Sequence, residues 1–177
     1  MSLGTIVTLR ESEFFTFFNI HEVSRQETGR KGVRAMQCKP GGFQEHIDIS
    51  FEMDANENVV SARLVLDRSW IGNPDHVNPF ANDIAKSFID TLVPAVDHGA
   101  IEPLLATIMN AKGIGDKRIY LHDQPRDLNP NFDTIKALGV YLQVIGKHEI
   151  MLSSCMLRME NIVAGGRVRL EIEVLPR

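Results

Sequence analysis

The chain has 177 residues, 44% of them hydrophobic and 24% charged, with a formal net charge of −4. That length supports one domain with a sizeable core, and the composition lies near the globular average, which argues against disorder. No apolar run approaches the roughly 20 residues that span a bilayer. The acidic balance argues against a general nucleic-acid binder, which needs a basic footprint.

No cationic stretch followed by an apolar one opens the chain, so no secretory leader is expected. Thr5–Leu9 is short and β-branched and reads as a strand. Ser12 then stands where it can cap a short helix containing Phe14, Phe15, Phe17 and Phe18. Phe14, Phe17 and Phe18 share one helical face, while Phe15 points elsewhere. Burial on more than one side is expected; exposed, the cluster would mark an interface. Residues 19–42 carry Gly29, Gly32, Gly41 and Gly42, lack a clear period and read as a polar mobile segment. Its basic residues, from Arg25 to Lys39, match no phosphate-loop spacing.

From Phe43 to Met53 the apolar residues Phe43, Ile47, Ile49, Phe51 and Met53 fall on alternate positions, the period of a half-buried strand. Asp54–Asn58 is turn chemistry. Val60, Ala62, Leu64 and Leu66 then alternate in a second run. A turn centred on Asn56-Glu57 sets Met53 opposite Val60, Phe51 opposite Ala62, Ile49 opposite Leu64, Ser50 opposite Arg63 and His46 opposite Asp67. Both apolar rows then share one face, as register demands.

Asn78 is a good N-cap and Pro79 suits the first helical position. Ala81, Ile84, Ala85, Phe88 and Leu92 follow at helical spacing, and Pro94 ends that helix. Ile101, Leu104, Leu105, Ile108 and Met109 make a second amphipathic pattern that places Pro103 in its first turn. Gly113–Asn131 reads as a long loop with a short strand at Lys117–Leu121. One or two helical turns over Asn131–Leu138 and a strand at Val140–Ile145 follow. The end of the chain alternates on both sides of Gly165-Gly166, a two-residue hairpin turn. It sets Val163 against Val168, Met159 against Ile172, Leu157 against Val174 and Arg158 against Glu173.

Together these elements predict one α+β domain over residues 1–177. Its mostly antiparallel sheet is built from two long hairpins, about 43–68 and 148–175, with main helices at about 79–93 and 101–111 on one face. Two isolated cysteines, Cys38 and Cys155, give no disulfide framework or zinc ribbon and fit a reducing cytoplasm.

No HExxH, GxSxG, GxxxxGK[ST] or CxxC pattern is present, so no catalytic residue, metal site or cofactor is assigned. Two polar stretches carry the candidate site. Residues 72–78 follow Trp70 and end at a helix N-terminus, where free N–H groups favour a small anionic ligand. Residues 120–123 lie in the long loop. The ligand-binding candidates are Trp70, Asp75, His76, Asn78, Tyr120 and His122. His98 and Asp123 add donor atoms suited to a metal, at no diagnostic spacing. The leading expectation is a non-enzymatic binding or assembly protein, as a homo-oligomer or with a protein partner. The alternative is a small enzyme or ligand carrier with a pocket near Trp70, Asp75 and His76. Neither nucleic acid nor membrane is expected as a partner.

Overall fold

The computed structural model describes residues 2–73, 75–109 and 132–177. Two short helices open the chain, α1 (Ile6–Arg10) and α2 (Glu13–Phe17). Thr5 Oγ1 accepts from Thr8 N at 3.2 Å, and Ser12 Oγ accepts from Phe15 N at 3.4 Å, so each helix is capped by a hydroxyl. Strands β1 (His21–Glu27), β2 (Arg34–Lys39), β3 (Ile47–Met53) and β4 (Val59–Asp67) follow. A helical turn α3 (Arg68–Ile71) leads into a minimal hairpin, β5 (Gly72–Asn73) and β6 (His76–Val77). Helix α4 (Pro79–Leu92), a 3-10 turn at Ala95–Asp97, α5 (His98–Met109) and α6 (Phe132–Tyr141) form the helical layer. Strands β7 (Lys147–Met151), β8 (Cys155–Ala164) and β9 (Arg167–Pro176) close the chain. No helix among the described residues is long and apolar enough to cross a membrane.

The fold is α+β. Its main sheet has seven strands in the order β1-β2-β3-β4-β9-β8-β7, with every neighbouring pair antiparallel. Register places the apolar residues side by side: Met36 opposite Phe51, Phe51 opposite Ala62, Ala62 opposite Val174, and Val174 opposite Leu157. All five are buried in one core that also holds Ile84, Phe88 and Leu92 of α4. Burying each large side chain contributes about 1.5–3 kcal/mol before conformational entropy is charged against it. The other face of the strands carries charge. Lys39 reaches Asp48 at 2.6 Å, Arg169 reaches Asp48 at 3.0 Å, and Arg158 pairs with the buried Glu173.

Both hairpins form, with the expected cross-strand pairs from Ile49–Leu64 to Leu157–Val174. Five details differ from the periodic reading. Residues 19–42 are not a loop: they supply β1, whose almost wholly exposed residues show no strand period, and β2, a short strand that buries Met36 and Cys38 at alternate positions. Thr5–Leu9 is helical, because the Thr5 cap and a buried Ile6–Leu9 face outweigh β-branching. A bulge after Glu52 pairs Met53 with Val59 in place of Val60, and Val59 is the buried one. Val140–Ile145 is no strand, since α6 runs on to Tyr141. Helix α5 starts at His98, which puts Pro103 beyond its first turn. The expected strand at Lys117–Leu121 lies outside the described residues.

Candidate ligand-binding groove

Phe17, Phe18, Phe43, Trp70 and Phe80 come from four separate segments and line one cavity of about 320 Å³, with Pro40 and Ile84 in its wall. Helix α2 stops at Phe17, and Asn19 turns the chain with φ +50°. Gly41 N donates to Phe18 O at 2.9 Å. A Cβ on Gly41 would lie 3.0 Å from Asn19 Nδ2, so glycine lets the two loops touch.

Phe43 has φ +56°. A bulky residue in the left-handed region costs about 1–2 kcal/mol unless its surroundings impose it. The Lys39 ammonium imposes it here. It donates to Gln44 O at 2.6 Å, Ile47 O at 2.8 Å and Asp48 Oδ1 at 2.6 Å, clamping the turn that presents the ring.

Asn78 sets the opposite wall. Its Nδ2 donates to Trp70 O at 3.2 Å, while its Oδ1 accepts from Phe80 N at 3.0 Å and caps α4. Phe43 then packs against Trp70 and Phe80, with centroids 5.3 and 5.5 Å apart. Phe17, Phe43 and Phe80 remain 78%, 46% and 55% exposed.

A second, polar cleft of about 760 Å³ is lined by His46, Asp67, Arg68, Ser69, Asn73 and Arg167. The imidazole of His46, stacked on Trp70 at 5.9 Å, also touches the aromatic wall. Asp67 is buried, with His46 Nδ1 3.4 Å and Arg167 Nη1 3.8 Å from its Oδ2. Arg169 Nε lies 3.1 Å from Asp67 Oδ1, an ion-pair distance without hydrogen-bond alignment. The buried Arg68 donates through Nη1 to Tyr141 O at 2.5 Å, through Nη2 to Val140 O at 2.7 Å and through Nε to Asn161 Oδ1 at 2.8 Å. It thereby satisfies carbonyls at the α6 C-terminus, where the helix dipole favours a cation. Burial lowers the Arg68 pKa to about 10, so the group stays charged at neutral pH.

Of the sequence candidates, Trp70 lines the groove and Asn78 positions two of its walls. Asp75 and His76 are exposed on the β5–β6 hairpin, where Asn73 Oδ1 accepts from both backbone N–H groups. Neither lines the groove or the cleft. Tyr120 and His122 lie outside the described residues, as does Asp123. His98 Nε2 is 2.8 Å from Val93 O. Among the described residues no three metal-ligating side chains gather. Sequence reasoning missed Phe43, assigned to the first position of a strand that in fact begins at Ile47, and Phe80. The signals were the Pro40-Gly41-Gly42 punctuation before Phe43 and the position of Phe80, off the apolar stripe of its helix.

Comparison with protein-family descriptions, with curated proteins and with solved structures finds no match, so the site is read from its own chemistry.

Proposed function

We propose that this chain is a non-enzymatic binding protein that takes an apolar, aromatic-sized group in the groove lined by Phe17, Phe18, Phe43, Trp70 and Phe80. One observation carries the reading: the Phe43 ring is held half-exposed at φ +56° by the three-bonded Lys39 clamp. Strain of about 1–2 kcal/mol that yields little burial is spent on presenting a ring. The groove volume falls at the small end of ligand sites, about 300–1,000 Å³.

Trp70 is the one tryptophan of the chain and stands in the groove wall, so its emission reads occupancy directly. Titration with 4-phenylbutan-1-ol, a neutral aromatic probe, is expected to shift that emission saturably. Phe80→Ala is expected to weaken binding about tenfold, the loss of roughly 1.4 kcal/mol of ring contact. An unchanged Trp70 spectrum at saturating probe rejects the reading.

Self-association through the same rings is the second reading, favoured by the outward-facing Phe17 at the groove rim. It predicts a dimer in light scattering that Phe17→Ser converts to monomer.

A further inference from the structure

The groove and the polar cleft adjoin at the neighbouring rings of His46 and Trp70, whose centroids lie 5.9 Å apart: Trp70 lines the groove and His46 lines the cleft. Apolar contacts dominate the first. The second has two arginines against one carboxylate in its described lining, although the whole chain carries a net charge of −4. Arg68 and Arg167 line the cleft, and the one carboxylate among the described lining residues is Asp67. Asp67 already faces Arg167, Arg169 and His46. Arg68 is 7% exposed and has no carboxylate partner among the described residues. Its three bonds use one N–H at each nitrogen, which leaves the second N–H of Nη1 and of Nη2 without a described partner. Such a charge, removed from water and neutralised by carbonyl dipoles alone, favours an anion arriving beside it. Arg167, 70% exposed, lines the same cleft, with its Nη1 3.8 Å from Asp67 Oδ2.

We propose that the cleft binds the anionic head of an amphipathic small acid whose apolar body fills the aromatic groove, an assignment that rests on the groove being a binding site. A carboxylate and a phosphate share the required chemistry: negative charge and acceptor oxygens for guanidinium donors. Ser69 and Asn73, also in the cleft lining, supply neutral donors for the same oxygens.

The test uses the full chain and three probes with one body and different heads: 4-phenylbutyrate, 4-phenylbutyl phosphate and the neutral 4-phenylbutan-1-ol. Each is titrated at low salt with Trp70 emission as the readout. At least one acid is expected to bind about tenfold more tightly than the alcohol, and the stronger of the two identifies the head. Arg167→Gln is expected to remove that preference while leaving the alcohol's affinity unchanged. Melting of the unliganded variant confirms that it folds. Equal affinity for acids and alcohol in the parent chain overturns the head site and leaves the groove standing. A preference that survives Arg167→Gln and is insensitive to salt also overturns it. If no probe shifts Trp70, the groove reading and the head site fall together.

Discussion

Phe43 packs its ring 5.3 Å from the indole of Trp70 while its own backbone sits at φ +56°. Phe43→Gly removes the ring and the strain together. Relief of about 1–2 kcal/mol is offset by the roughly 0.5–1 kcal/mol of unfolded-state freedom that glycine adds and by about 0.5–1.5 kcal/mol of lost ring contact with Trp70 and Phe80. Thermal melting is therefore expected to move little, while affinity for 4-phenylbutan-1-ol falls about tenfold. A variant that loses several kcal/mol of stability would show Phe43 to be a packing residue.

Lys39 works one step away from the groove. Lys39→Met keeps the apolar stem but leaves Gln44 O, Ile47 O and Asp48 without their ammonium donor. The expected loss is about 1–3 kcal/mol in denaturant unfolding, with weaker probe binding because Phe43 is released. Arginine at this position is expected to rescue stability better than binding, since its planar fork cannot reproduce the same three directions.

Gly72 stands at φ +91°, and a Cβ there would come within 2.2 Å of His76 O. That oxygen is backbone, so no side chain can rotate away. Gly72→Ala is expected to destabilise by more than about 1 kcal/mol and to red-shift Trp70 emission by loosening the β5–β6 hairpin next to α3. An unchanged spectrum would mean that the hairpin does not support the wall.

Asp97 joins the helical layer to the β7–β8 turn. Its oxygens accept from the backbone N–H of Ser153 and Ser154, each at 2.9 Å, and from both hydroxyls. Burial by itself pushes the carboxyl up, but these four donors outweigh it and hold the group well below the usual carboxylate range. A folded pKa below the unfolded one, about 3.9, means stability present in full above that value and lost as pH falls through the folded one. Asp97→Asn is expected to cost about 1.5–3 kcal/mol at pH 7, with the gap to the parent narrowing below about pH 4. Urea unfolding at pH 7 and pH 3 checks both statements; a gap independent of pH would exclude the charged hydrogen bonds as its origin.

Cys38 and Cys155 are both buried and free. Burial raises the Cys38 thiol to about 12, with the Glu22 charge adding to it, and raises Cys155 to about 11, where Asp97 adds to it. Since the thiolate is the reactive form, neither is expected to react with Ellman's reagent at pH 8 until the chain unfolds. Rapid labelling of the folded protein at either position would contradict the burial.

The hairpins were legible because a half-buried strand writes its two faces into the sequence with a period of two. Ile49-Ser50-Phe51 and Leu157-Arg158-Met159 both carry that mark, and cross-strand register follows from it. Strand β1 carries none, because nearly all its residues are exposed and its pairing depends on backbone hydrogen bonds with β2. The boundary between α6 and the supposed strand at 140–145 was equally hidden. The side chain of Arg68, remote in sequence, satisfies the carbonyls that end the helix.

The sequence by itself determined the sheet's apolar face, the caps of α2 and α4 and the lack of known catalytic motifs, all of which depend on residues close together in the chain. Only the tertiary structure decided the groove. Phe17, Phe43, Trp70 and Phe80 belong to four segments with unrelated local patterns. Their meeting depends on the Gly41–Asn19 approach, the Lys39 clamp and the two bonds of Asn78. Hydrophobic periodicity reports which side of an element is buried. It carries no record of which exposed rings, from elements far apart in the chain, come to share one concavity.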